Sequence, residues 1–323
     1  MTRADSENRN APDFLQFYPT LRCNMNCSFC FNRNMDASLG ASPDVTLDGF
    51  GKMVRAASDA GIGHIDFLGG EPTLHPDIEA LVRVARMAGI DVTLSSNGTR
   101  PDILEKLSMA FPAPALRIGV SINTDRIGCE LASYIREFRP IVKTLFDSEA
   151  GVLQKPFFLD PSDTETELCV IYPDAVDRRD LAHCMPFYAY YQSLVTLSAG
   201  RPNLRGVFCE GFLPADGAAA SPAGRRCPAG TTKLSVLPGG DVYPCYLLFH
   251  DSRFRLGNLL EDAFSGIWEN PLLDRFRKPS SNRCSRTGCE LFDRCGGGCP
   301  AVGHRLTGSL SGSDPRCTND QFG

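Results

Sequence analysis

Strand-like and helix-like segments alternate along the first half of this chain, and that order restricts it to a parallel sheet covered by helices. Phe14–Tyr18 reads as a strand. Thr46–Ala60 reads as a helix: Thr46 is an N-cap, Phe50, Met53, Val54 and Ala57 share one face, and Gly61 is a stop. Ile65–Leu68 is a strand, and Pro76–Ala88 a helix with proline in its first turn and Gly89 behind it. Asp91–Leu94, Pro101–Ala110 and Leu116–Ile122 continue as strand, helix and strand. Further on, Glu167–Tyr172 and Ser193–Ser198 read as strands around a helix near Leu181–Tyr191. Roughly six such repeats fall short of the eight in a closed barrel. The expected fold class is therefore α/β, a partial (β/α)6 TIM-like barrel over residues 12–213. The Gly/Ala-rich stretch Asp216–Ser221 reads as a loop, and an interdomain link is placed at Pro214–Arg226. A hairpin signal follows, Leu234–Val236, Gly239-Gly240-Asp241 and Val242–Tyr243, in a small Cys-rich second domain over residues 214–323.

Fourteen cysteines in 323 residues exceed what core packing needs. The N-terminus is polar and charged, with no apolar signal region, and no apolar run reaches bilayer length. A cytoplasmic location is expected, where structural disulfides are rare. Metal or cluster ligation is the economical use of the thiols. The formal net charge of −5 speaks against a nucleic-acid surface. The cysteines fall in two groups, one near the N-terminus and most of the others from Cys209 onward. Cys23, Cys27 and Cys30 form a C-x3-C-x2-C triplet just after the first strand. Each thiolate of an iron–sulfur cluster binds one iron, so three on one loop leave a fourth iron open to a small molecule. A zinc knuckle is the competing reading, although zinc sites more often pair C-x2-C units and take four N or S ligands.

The triplet, with Phe29 before its last cysteine, resembles the radical SAM superfamily. That resemblance implies a [4Fe–4S] cluster whose open iron chelates S-adenosylmethionine, and reductive cleavage that releases a 5′-deoxyadenosyl radical. Gly69-Gly70-Glu71-Pro72, after the second strand, is similar to the family's motif that contacts the amino group of the SAM methionine. Ser96 and Asn97, in the turn Ser95–Thr99, are similar to its polar turn after the third strand. Ser121 and Asn123 stand where relatives carry Ser and Asp against the SAM ribose or carboxylate. Asn123 departs from that pattern; it can donate and accept but brings no negative charge. Each of these residues also reads as an ordinary strand-end turn or cap.

The C-terminal third is similar to a SPASM domain, an auxiliary-cluster extension of this superfamily. Carried over from that resemblance, Cys227, Cys245 and Cys299 match a first auxiliary [4Fe–4S] cluster. That cluster then has an open iron or a fourth ligand, for which Cys209 is the nearest candidate. Cys284, Cys289, Cys295 and Cys317 match a second cluster, with Cys284-x4-Cys289 where relatives have C-x2-C. The stretches Gly257-Asn258 and Ile267-Trp268 also fit, and a zinc ribbon is the alternative for this region. Cys129, Cys169 and Cys184 match nothing and read as buried, inert thiols, one of which could still donate a hydrogen atom.

Most relatives with this tail modify ribosomally made peptides or proteins, so the resemblance implies a peptide maturase. The runner-up is oxidation or epimerisation of a sugar or aminoglycoside, and a third reading is a non-catalytic electron carrier, which would need no SAM motifs. The barrel begins almost at once, with no room before it for a peptide-recognition domain; this weakens the peptide reading without removing it, because a separate protein can supply recognition. The implied partners are a peptide or small-molecule substrate and an electron donor such as flavodoxin or ferredoxin, with no nucleic acid and no membrane.

Overall fold

The computed structural model describes residues 11–32, 43–158, 160, 163–212, 227–277, 288–289 and 295–317. Its first elements are β1 (Phe14–Phe17), α1 (Leu47–Asp59), β2 (His64–Phe67), α2 (Ile78–Met87), β3 (Asp91–Ser96), α3 (Pro101–Ala110) and β4 (Leu116–Ser121). They continue as α4 (Cys129–Phe138), β5 (Ile141–Leu145), α5 (Glu149–Leu153), β6 (Leu168–Ile171), α6 (Phe187–Ser198) and β7 (Leu204–Val207). Strands β1 to β7 are parallel and lie side by side in chain order. Six β/α units and a last strand thus make the partial barrel expected from the alternation.

Local chemistry explains these elements. Thr46 caps α1 by accepting the Gly49 N–H, and Phe50, Met53, Val54 and Ala57 are buried against the sheet. Helix α2 starts later than expected. A short 3-10 turn, Pro72–Leu74, comes first, and Pro76 precedes the Asp77 cap. Ser193–Ser198 is not a strand but the end of α6. Phe187, Tyr190, Leu194 and Leu197 recur at helical spacing and are all buried, which overrides the β preference of Val195 and Thr196. The strand that follows is β7, where only Leu204 is buried.

The hairpin formed by β8 (Lys233–Val236) and β9 (Asp241–Tyr243) has the expected place in the chain. Its β8 pairs parallel with β1, Leu234 opposite Leu15, so the hairpin extends the barrel sheet. Strand β10 (Gly257–Asn258) adds antiparallel to β9, and the sheet order is β10-β9-β8-β1-β2-β3-β4-β5-β6-β7. Among the described residues the C-terminal part also has the helices α7 (Phe264–Trp268), α8 (Asp274–Arg277) and α9 (Pro300–Thr307). The expected linker at 214–226, Cys284 and the loop 216–221 lie outside the described residues. Among the described residues no helix is long and apolar enough to cross a membrane.

Candidate functional site: a thiol loop over the strand ends

The loop after β1 carries Cys23, Cys27 and Cys30, and the ends of β2 and β3 hold it in place. Gly70 donates its N–H to Thr20 O (3.0 Å) and Glu71 donates to Arg22 O (2.7 Å). At the other end of the loop, Asn32 Nδ2 donates to Gly69 O (2.8 Å). These contacts explain the two glycines. A Cβ on Gly69, at φ +121°, would stand 2.5 Å from Thr20 O, and one on Gly70 would stand 2.1 Å from Arg22 O. The close backbone approach is made by the thiol loop itself.

Glu71 is 1% exposed, and its carboxylate joins the strand ends. Oε1 accepts from Thr73 N (3.1 Å), Thr73 Oγ1 (2.6 Å) and Ser96 Oγ (2.9 Å), while Oε2 accepts from Asn97 N (2.6 Å). Asn97 passes the connection to the loop, since its Nδ2 donates to Asn24 Oδ1 (3.0 Å) and lies 3.9 Å from Cys23 Sγ. Asn24 in turn donates to Thr99 Oγ1 (2.8 Å). Arg22 anchors the base of the loop through Asp44 (2.7 Å) and Leu74 O (2.8 Å).

A cavity of about 690 Å³ opens between this loop and the ends of β3 and β4. Cys27, Phe29, Asn97, Ser121 and Asn123 line it together. Gly69, Gly70, Glu71 and Ser96 are not among its lining; Glu71 and Ser96 are buried. Asn123 Oδ1 accepts the Leu145 N–H (2.9 Å), so the acceptor half of its amide secures the end of β5. The cavity adds Met25, Thr99, Arg126 and Cys129, which sequence reasoning did not single out as lining. Cys129 is exposed at the start of α4 rather than buried, because the first turn of α4 faces the opening. Cys169 and Cys184 are buried as expected, and burial pushes Cys184 up to about 12.

None of the three thiols of the loop is in a disulfide. Burial first, then the neighbouring Cys30 and Cys23, raises the pKa of Cys27, so the three sulfurs crowd one another. Crowded thiols on a pinned loop are a donor set that iron satisfies, since ligation needs them deprotonated and close.

A second group of thiols gathers beside β8. Cys227, Cys245 and Cys299 are buried in one cluster, and Cys209 packs against it. A hydrogen bond with Cys209, and then burial, holds Cys299 well above its ordinary pKa. Burial and then Cys299 and Cys245 push Cys227 up to about 12. Burial also takes Cys245 up to about 11, against the opposing pull of Lys233. The candidate fourth thiol, Cys209, is therefore beside Cys299, although 90 positions separate them in the chain.

Arg316 locks this region to the barrel. It is 1% exposed, pairs with Asp314 (2.7 Å) and Asp174 (3.3 Å), and donates to Pro173 O (2.6 Å). Asp314 Oδ2 accepts the Cys299 N–H (2.9 Å). Cys295 and its following glycines dock on Gly211 O, while Cys289, Cys295 and Cys317 are half-buried. Among the described residues no three His, Cys, Asp or Glu side chains converge as ligands of one metal ion. In a cubane each thiolate binds its own iron, which spreads the ligands over a wider group.

The two thiol regions face each other. Phe31, next to Cys30, meets the ring of Tyr246, next to Cys245, at 4.7 Å. Tyr18 lies between them; burial and then Cys245 and Cys30 push its pKa up, against its bond to Asn32.

A thiol triplet on a loop over the strand ends of a partial barrel defines a radical SAM protein. Residues 17–136 match the radical SAM superfamily, and residues 227–296 match the SPASM iron–sulfur cluster-binding domain. The chain belongs to the radical SAM enzymes that carry a C-terminal SPASM domain, modules that bind SAM and [4Fe–4S] clusters. It is 26% identical to the mycofactocin maturase of Mycobacterium ulcerans (strain Agy99), over 95% of this chain and 88% of that one. It is 24% identical to the PqqA peptide cyclase of Bradyrhizobium diazoefficiens, over 98% and 88%. Streptococcus suis SuiB bound to S-adenosylmethionine shares the fold, with a TM-score of 0.69 and 20% identity over 98% of this chain and 80% of that one.

Proposed function

We propose that this protein matures a ribosomally made peptide by SAM-dependent radical chemistry. The observation that carries the reading is similarity along nearly the whole chain, barrel and thiol tail together, to a mycofactocin maturase and a PqqA peptide cyclase. In this reading Cys23, Cys27 and Cys30 hold the cluster that binds SAM, and the cavity beside them takes SAM and the substrate. Bound there, the cluster supplies the electron that cleaves SAM and yields the radical that takes a hydrogen atom from the substrate. The chain's own residues orient and enclose. Phe29, Asn97, Ser121 and Asn123 bound the cavity. Gly69, Gly70, Glu71 and Ser96 hold the thiol loop at the strand ends. Cys209, Cys227, Cys245 and Cys299 hold one auxiliary cluster, and Cys289, Cys295 and Cys317, with Cys284, hold another. An electron donor such as a flavodoxin or ferredoxin supplies the electrons, and the reaction takes place in the cytoplasm.

The test is anaerobic reconstitution followed by assay with a short peptide encoded beside the gene. On the order of 12 iron atoms per chain are expected if three four-iron clusters form. Reduced protein with SAM should release 5′-deoxyadenosine, and the peptide should change mass. Cys27→Ala should abolish that release, whereas Cys289→Ala should spare it and stop peptide turnover. Turnover of a sugar or aminoglycoside instead of the peptide would move the assignment to small molecules. A colourless, zinc-loaded protein would sink the radical reading.

A further inference from the structure

Lys233 opens β8, and its backbone is tied to the turn that carries Cys227. Its N–H donates to Pro228 O (3.2 Å), and Gly230 donates to Lys233 O (2.9 Å). Two residues on, Ser235 Oγ donates to Gln16 Oε1 (3.1 Å), so this face of β8 looks into the barrel. The Lys233 ammonium stands 5.5 Å from the centre of the Tyr246 ring, the residue after Cys245. Cys245, Cys209, Cys227 and Cys299 are the charges that act on it most. Asp174, the carboxylate on the far side of Tyr246, is engaged by Tyr246 Oη (2.7 Å) and by Arg316 (3.3 Å). Among the described residues no carboxylate makes an ion pair with Lys233. Lys233 is half-buried, and a cation partly withdrawn from water gains from a nearby counter-charge. The negative charge that acts on it most comes instead from thiols in four separate parts of the chain, and it acts in turn on the Asp66 carboxylate.

We propose that Lys233 is the counter-charge of the iron–sulfur cluster held by Cys209, Cys227, Cys245 and Cys299, and that it raises the reduction potential of that cluster selectively. The inference rests on the ligand reading given above. A cluster ligated by four thiolates is anionic, and it gains one more negative charge on reduction. A fixed cation nearby stabilises the reduced form more than the oxidised form. A cluster that accepts an electron from the substrate benefits from that bias. The cluster on Cys23, Cys27 and Cys30 must instead donate an electron to SAM, and its thiols are not among the principal charges on Lys233. Lys233 thereby makes the two cluster sites unequal.

The test is an anaerobic redox titration followed by electron paramagnetic resonance, on reconstituted wild type, Lys233→Met and Lys233→Arg. A Cys27→Ala background removes the SAM-binding cluster from the spectra. Lys233→Met should lower the midpoint of one auxiliary cluster about tenfold in its equilibrium constant for reduction, about 59 mV for one electron. The other cluster should not move, and Lys233→Arg should restore the wild-type value. Should Lys233→Met not fold, Lys233→Gln, with a neutral polar head, gives the same reading. Unchanged midpoints at full iron content, or an equal shift in every cluster, would overturn the proposal. The ligand reading is checked separately. Cys227→Ala and Cys245→Ala should each lose iron, and full iron in both variants would remove the cluster assignment and the lysine's role with it.

Discussion

Replacing Glu71 with glutamine changes one atom in a carboxylate that collects four hydrogen bonds from the ends of two strands. The geometry allows two placements of the new amide, and neither satisfies all donors. With the amide oxygen at the Oε1 position, the NH2 group meets the Asn97 N–H, a fixed backbone donor that stood 2.6 Å from Oε2. With the amide reversed, NH2 meets the Thr73 N–H, which stood 3.1 Å from Oε1; the hydroxyls of Thr73 and Ser96 can rotate but that N–H cannot. One backbone donor, part-buried at Asn97 or buried at Thr73, is left without an acceptor in either case, at about 1–3 kcal/mol. The remaining bonds fall from charge-assisted to neutral strength, about 1 kcal/mol each. Burying a neutral group in place of a charged one offsets part of this. A net destabilisation of about 2–4 kcal/mol is expected, measured by urea unfolding of the metal-free protein. Glu71→Asp, whose shorter arm reaches only one set of donors, should fall at a similar level. A Glu71→Gln protein within about 0.5 kcal/mol of wild type would refute the argument that this carboxylate holds the strand ends together.

Three further outcomes follow from the same structure. Gly70→Ala places a methyl carbon against the Arg22 carbonyl, a backbone atom that cannot swing aside, so the thiol loop must move. Iron analysis should show the loss of about four atoms from the N-terminal site with the auxiliary iron retained; full iron content would contradict it. Arg316→Met strands Asp314 in the interior without its cation, which should destabilise the fold by about 3–5 kcal/mol in thermal unfolding, and adding Asp314→Asn should recover part of the loss. In metal-free protein at pH 8, iodoacetamide should label the exposed Cys23 and Cys129 before Cys227 and Cys245. Burial raises the two latter thiols to about 12 and about 11, so their thiolate fraction, and their labelling rate read by mass spectrometry, should climb about tenfold per pH unit below those values. Equal labelling at pH 8 would show that the pocket beside β8 is open.

Much of the barrel was legible because its signals are local. The Thr46 cap and the apolar face of α1 lie within a few turns, and both are as expected. The segment 193–198 reads as a strand because Val195 and Thr196 favour one over two residues, while the deciding signal is a buried face running from Phe187 to Leu197. The site divides in the same way. The triplet identifies itself by spacing on one loop. The meaning of Gly69 and Gly70 does not, because their requirement comes from the carbonyls of Thr20 and Arg22, some fifty residues earlier. Lys233 carried no signal in the sequence, since its neighbours are set by where β8 lands.

The sequence by itself determined the chemistry that this chain can support: three thiols within reach of one cluster, glycines and polar residues at strand ends, and a tail rich in further thiols. These are matters of residue type and short spacing, which a loop or a helical turn translates directly into distance. Only the tertiary structure decided which distant groups meet. Strand β8 pairs with β1 across more than two hundred residues, and that pairing brings Cys227, Cys245 and Lys233 to the side of the barrel where Cys209 and Cys299 already touch. Such contacts depend on long loops closing and on buried charges finding partners, and the free energy of those events belongs to the folded whole.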